Sequence, residues 1–255
     1  MKNLLSASVL LALALAPLHA QWLDYPTKNV PRTKDGQPDM SARTPRTKDG
    51  KPDITGIWMP NGLKYLINMA ADLKPDEVPF QPWAAALYKE RRANLGRDDP
   101  NNNCLPSGVP EKEAVTSPFK IMQFPGEMVI LYESRTIFRE IFTDGRPQPK
   151  NPTPTWQGYS VGRWEGDDFV VETVGLNDKI WMDTNGHPIT EAAHVTERFR
   201  RKDFGHMDIQ ITIDDPKAYT KPWTITENPS LLVDTDLLES VCEENNKDAL
   251  HIVGK

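Results

Sequence analysis

Residues 194–214 read "HVTERFRRKDFGHMDIQITID", and the period of this stretch decides the fold. In its second half Met207, Ile209, Ile211 and Ile213 alternate with Asp208, Gln210 and Thr212, as expected of a strand with one dry face. A five-residue loop, "KDFGH" at 202–206 with Gly205 in the left-handed position, folds the first half back on the second. That register sets Arg201 opposite Met207, Phe199 opposite Ile209, Glu197 opposite Ile211 and Val195 opposite Ile213. On the other face Arg200 meets Asp208 and His194 approaches Asp214, pairs that suit a wet surface.

The competing period is helical. If residues 188–201 formed a helix, His187, Glu191 and His194 would line one face as metal ligands do. The strand register moves His194 to the solvated face and counts against that metal site, and it leaves His206 in a surface loop. It also puts Glu197 on the apolar face, between Val195 and Phe199. A carboxylate there must be paired, hydrogen-bonded or protonated. Arg139, flanked by Ile137 and Ile141, is the inward-facing candidate partner. Glu197 is then half of a structural ion pair or a pocket acid or base. Glu172, between Val170 and Val174, raises the same question.

Working outward, the same period recurs. "FKIMQF" and "MVILYE" flank "PGE", and "RTIFREIF" runs to the turn "TDGR". "SVGRWEG" and "FVVETVG" flank a turn at Asp167 and Asp168, and "PWTIT" and "LLESVCEE" complete an antiparallel meander. Short strands joined by local turns predict a barrel-like, mainly β domain over residues 52–255. One helix is predicted over 82–95, opened by Pro82 and ended by Gly96. Ahead of it, "PRTKDGQPDMS" from Pro31 is repeated as "PRTKDGKPDIT" from Pro45. Residues 21–51 therefore read as a proline-rich extended arm of two turns, with little part in the core.

The ends of the chain speak to location. Lys2, the apolar run "LLSASVLLALALA" and "LHA" read as a signal peptide over residues 1–20, so a periplasmic or secreted protein is expected. No later stretch is long and apolar enough to span a bilayer. Without Lys2 the chain has 29 basic and 36 acidic residues, which excludes the basic footprint of a nucleic-acid partner. Cys104 and Cys242 are the only cysteines, and in an exported chain they most simply form one disulfide.

Motifs for cofactors are missing. There is no zinc-spaced Cys/His cluster, no H-E-x-x-H, no phosphate-binding glycine loop and no calcium loop, so no cofactor is expected. "GRDDPNNN" at 96–103 is rich in oxygen ligands but reads as a solvated loop. "GYSVG" at 158–162 matches the G-x-S-x-G pattern, yet a hairpin follows where a nucleophile elbow needs a helix. Its glycines instead suit bending or close packing, and Ser160 is not expected to be a nucleophile.

"GIW" at 56–58, at the start of the meander, resembles the opening of lipocalin-type barrels. That resemblance implies a tryptophan closing one barrel end with a basic side chain packed on it. "GYSVGRWEGDDFVVETVGLNDKIWMD", "HVTERFRRKDFGHMDIQITIDDPKAYTKPWT" and "ESVCEENN" together resemble a family of exported bacterial proteins of uncharacterised function. This second resemblance covers the chain from about Pro52 and implies an exported, largely β protein. It brings no activity and no catalytic residue.

The expected role is binding of a small, partly apolar molecule in a barrel pocket lined by Trp58, Trp164, Trp181 and Trp223. One alternative is an acid/base isomerase, lyase or hydrolase using Glu197 with Arg139 or Glu172. Another is an envelope interaction protein whose arm pairs with a partner's sheet edge. A pocket containing Glu197 would favour the first two readings, and a filled barrel the third.

Overall fold

The computed structural model describes residues 26–242, so the signal-peptide reading of residues 1–20 lies outside the described residues. The chain is mainly β, and its strands form one curled, mixed sheet, a half-barrel. The strands are β1 (Gly56–Met59), β2 (Phe119–Phe124), β3 (Glu127–Tyr132), β4 (Ile137–Phe142) and β5 (Tyr159–Glu165), then β6 (Asp168–Val174), β7 (His194–Arg201), β8 (Met207–Asp214), β9 (Trp223–Glu227) and β10 (Ser230–Leu232). A short helix α1 (Lys64–Ile67) and the helix α2 (Pro82–Ala93) lie between β1 and β2.

The β7–β8 hairpin has the register its alternation dictates, from His194 opposite Asp214 to Arg201 opposite Met207. Met207, Ile209, Ile211 and Ile213 are fully buried, and so are Val195, Glu197 and Phe199. Gly205 departs from expectation, because its backbone is not left-handed. It is needed for space: a Cβ there would lie 2.7 Å from the Met40 side chain.

Two features of the sheet were not legible in the alternation. β4 and β5 run parallel and share only the pairs Ile141–Ser160 and Phe142–Val161. A parallel pair needs a crossover, and residues 143–158, with Pro147, Pro149, Pro152 and Pro154, supply an extended one. The closing strand is β10 at 230–232, not the "LLESVCEE" segment at 237–244, of which 243–244 lie outside the described residues. β9 pairs with β8 and β10 with β1, so one continuous segment bending at Pro229 supplies both ends of the strand order. Leu231 N–H donates to the Gly205 carbonyl at 2.8 Å and holds that bend to the β7–β8 loop.

The arm is docked, which corrects its reading as an extended segment outside the core. Val30, Met40 and Ala42 pack against the core, and the N–H groups of Phe204 and Gly205 donate to the carbonyls of Ala42 and Met40, each at 2.8 Å. The repeat is a repeated structure. In each copy the aspartate N–H (Asp39, Asp53) bonds back to the proline carbonyl (Pro31, Pro45), and the arginine (Arg32, Arg46) donates to the glycine carbonyl (Gly36, Gly50). The same arginine then forks onto a carboxylate of the body, Arg32 onto Asp234 and Arg46 onto Asp167. Composition alone suggested a free arm because those two carboxylates lie more than a hundred residues away.

Trp58 is fully buried, its Nε1 donates to the Ile54 carbonyl at 3.0 Å, and the Arg201 guanidinium lies 5.0 Å from its ring. This is the tryptophan-with-basic-cap arrangement that the "GIW" resemblance implied. Cys104 and Cys242 form the disulfide, with Cα atoms 5.6 Å apart. Among the described residues no helix is long and apolar enough to cross a membrane.

Candidate functional site

Arg139 sits at the centre of the sheet's concave face. Ile137, Arg139 and Ile141 share one side of β4, and Arg139 is only 1% exposed. A buried guanidinium must place five N–H donors, and here all five are placed. Nε donates to Ser160 Oγ at 3.2 Å. Nη1 donates to Glu113 Oε1 at 2.9 Å and to Glu197 Oε1 at 3.0 Å. Nη2 donates to Thr173 Oγ1 at 2.8 Å and to Glu197 Oε2. The Glu197–Arg139 pair read from the alternation is therefore present, in the bidentate form that gives guanidinium–carboxylate pairs their strength.

No periodic pattern marks the second carboxylate. Glu113 comes from a 3-10 turn, Glu111–Glu113, in which three consecutive ionisable residues are buried. Tyr132 donates to Glu113 Oε1 at 2.7 Å, while Glu113 Oε2 is buried with no hydrogen-bond partner. Burial and the adjacent Glu197 charge push the Glu113 carboxyl up to about 7, against the pull of Arg139. Burial also opposes the charge on Arg139, but Glu197 and Glu113 outweigh it and hold the guanidinium above its usual range. One cation thus serves two acids, and a proton on Glu113 makes the cluster neutral.

The neighbouring turn residues have partners of their own. Asn101 Nδ2 donates to Glu111 at 3.0 Å, and Lys112 Nζ donates to the Ser134 carbonyl at 2.9 Å. Burial and then Asp99 push Glu111 up to about 8, and burial and then Arg135 bring Lys112 down to about 8. The loop bearing Asn101 is tied down by the Cys104 disulfide. The oxygen-rich "GRDDPNNN" stretch is in part this internal support rather than a fully solvated loop, since Asp99 is buried.

The concave face around Glu197 is filled by side chains. The polar cluster is approached from the side, where β4 and β5 part. A cleft of about 520 Å³ there is lined by Phe138, Phe142, Trp156 and Tyr159, with Gln157, Arg139 and Ser160 among its walls. Phe138 is 61% exposed on this rim. Gln157 donates to the Ser107 carbonyl at 2.8 Å, leaving its Oε1 buried with no partner. The cleft is therefore aromatic at its mouth, and the unpartnered Gln157 oxygen lies buried behind its wall.

Other candidate residues fall elsewhere. Glu172 faces the opposite side of the sheet from Glu197, because Val171 is the residue opposite Glu197, and it pairs with Arg163 at 2.9 Å. Its apolar flanks misled because Val170 and Val171 are both buried, one on each face. The four tryptophans do not share a pocket and none lines this cleft. Trp58 is capped by Arg201, Trp164 packs on Phe169 at 5.2 Å, Trp181 lies under Arg91 at 4.3 Å, and Trp223 packs on Tyr219 at 5.4 Å. Trp156, in the proline-rich crossover, is the tryptophan at the cleft.

His187, Glu191 and His194 are not brought together. His187 is buried with Nδ1 against Asp183 at 2.5 Å, Glu191 is exposed on Lys217, and His194 begins β7 opposite Asp214. Among the described residues no group of three or more His, Cys, Asp or Glu could hold a metal ion. His206 lies 2.8 Å from Asp203 and pairs with Ser230, so it is only partly a surface residue. Ser160 is buried among Arg139 and Thr173 in the polar cluster. The glycines of "GYSVG" serve close packing, since a Cβ on Gly162 would lie 2.5 Å from Phe169. Compared with known proteins, the chain matches no family model, and no curated protein matches it significantly.

Proposed function

We propose that the protein binds a small, partly apolar molecule in the cleft between β4 and β5, outside the cytoplasm. The observation that carries this reading is the cleft lined by Phe138, Phe142, Trp156 and Tyr159, with Phe138 open to solvent at its rim. Its composition fits a flat, uncharged ligand that stacks on Trp156 and Phe138. The extracytoplasmic setting is supported by the leader-like first twenty residues and by the disulfide. The closed interior around Glu197 counts toward the arm-pairing reading and against a pocket there, but the arm's backbone bonds are used within its own turns and on the β7–β8 loop, which leaves it little to pair with a partner.

The test is fluorescence titration with the uncharged dye N-phenyl-1-naphthylamine, alongside native mass spectrometry of protein from its own host. Trp156→Ala and Phe138→Ala are expected to weaken the dye about tenfold, roughly 1.4 kcal/mol, with unfolding midpoints unchanged. Equal binding to the parent and to Trp156→Ala would remove the cleft as the site.

Acid–base chemistry is a second reading, favoured by the free oxygen on Glu113. It requires the cleft to open onto Glu113, with Glu197 and Arg139 setting its charge. A ligand chemically altered by the parent protein but not by Glu113→Gln would establish it.

A further inference from the structure

Two clefts lie along the arm that carries the repeat, and Arg201 lines both. The first, about 710 Å³, lined by residues 26–30 and by Pro45 and Asp53 of the second copy, is balanced: Lys28, Lys120 and Arg201 face Asp53, Asp234 and Asp236. The second, about 960 Å³, at the junction of the two copies, is not. Arg43, Arg46, Arg200, Arg201 and Lys202 face only Asp167 and Asp203. This basic excess stands on a chain whose net charge is -6.

Part of that excess is met by the body. Arg46 forks onto Asp167, Lys202 reaches Asp208 at 2.6 Å, and Arg200 shares Asp168 with Arg198. Two cations lack a carboxylate. Arg201 is buried and donates to the carbonyls of Asp53, Asp203 and Phe204. Arg43 is exposed and takes part in no ion pair among the described residues. The corresponding position two residues ahead of the first copy is Asn29, so the first cleft has a neutral amide where the second has this guanidinium.

We propose that the second cleft binds a phosphate group, either on a soluble ester or on a lipid headgroup, gripped by Arg43 with Arg200 and Lys202. Guanidinium forks match phosphate oxygens in pairs, and a doubly charged anion would meet the local excess. The cleft is open, so the grip is electrostatic and weakens as salt is added. Ser41 and Thr44 on the same wall offer hydroxyls beside the charges. This site is separate from the cleft between β4 and β5 and does not depend on it.

Arg43 has no structural partner, so its replacement tests binding without threatening the fold. Calorimetry with pyrophosphate at low ionic strength and flotation with vesicles of phosphatidylglycerol or phosphatidylcholine form the two arms. The full chain is expected to bind pyrophosphate, phosphatidylglycerol vesicles or both, and Arg43→Glu to weaken that binding about tenfold or more. Lys34→Glu, the same charge change on the exposed first turn, is the control and is expected to weaken binding less than about twofold. Pyrophosphate binding without vesicle binding assigns a soluble ester, and binding to phosphatidylglycerol but not phosphatidylcholine assigns an anionic headgroup. No binding in either arm, or an equal loss in the two variants, overturns the proposal.

Discussion

Two clusters on opposite faces of the same sheet invert each other. Inside, one arginine, Arg139, holds two carboxylates, Glu113 and Glu197, all about 1% exposed or less. Outside, one carboxylate, Asp168, holds two arginines, Arg198 and Arg200, that are 37% and 60% exposed. The geometry of the bonds is alike. Their consequences differ because water screens the two outer arginines, although Asp168 between them is only 8% exposed, and leaves the inner cluster to settle its own charge. The inner cluster carries an acid raised into the neutral range, whereas the outer Asp168 is held below its usual value by its bonds to Arg200.

The sharpest way to break that contrast is to remove the inner cation. Arg139→Met strands two buried carboxylates and is expected to cost about 5 kcal/mol at pH 7, read by urea unfolding. The cost should shrink as pH falls below about 7, where Glu113 takes up a proton. Equal cost above and below that pH would mean that charge is not what Arg139 supplies. Glu197→Ala leaves Glu113 as counter-ion and should cost roughly 3 kcal/mol.

The titration of Glu113 refines the comparison. Its folded value is above its unfolded one, so its contribution is full below about pH 4.5 and is lost as pH rises through about 7. The loss is on the order of 3 kcal/mol. Glu111 adds to the decline up to about pH 8. Lys112, lowered to about 8, works the other way: its contribution is full above its unfolded value near 10.5 and is lost as pH falls through about 8. Stability should therefore fall from pH 4.5 toward 8 and partly recover above it. Glu113→Gln should flatten the first part of that curve, and an unchanged curve would count against Glu113 as the source.

Smaller effects lie outside. Truncation up to Thr44 removes the Arg32 latch and the packing of Val30, Met40 and Ala42, and is expected to cost about 2 kcal/mol. No change in the unfolding midpoint would return these residues to the status of a free arm. Arg200→Ala and His194→Ala should each stay within roughly 0.5 kcal/mol, as exposed sites do. A larger loss for Arg200→Ala would show that the outer cluster is not screened as described.

The legible parts of the sequence were those where one face is dry and the other wet. The β7–β8 register followed from Met207 to Ile213, and that register turned Glu197 inward toward Arg139. Alternation fails where both faces are covered, as at Val170 and Val171, and there Glu172 was assigned to the wrong face. It also says nothing of loops. Glu113 reaches the centre from a 3-10 turn, and Trp156 reaches the cleft from a proline-rich crossover, so no period marks either. Pairing between β4 and β5 is set by that long crossover, and its parallel sense is invisible to a pattern that describes one strand at a time.

The bond between Cys104 and Cys242 encloses every strand from β2 to β10 in a single covalent ring. A protease that cuts once within this ring, for instance in the proline-rich crossover at 143–158, opens the loop without releasing a piece. The two parts travel together until a reductant reaches them. Damage at that surface would leave the mass unchanged but for one added water, and a nicked population would become visible only on a reducing gel.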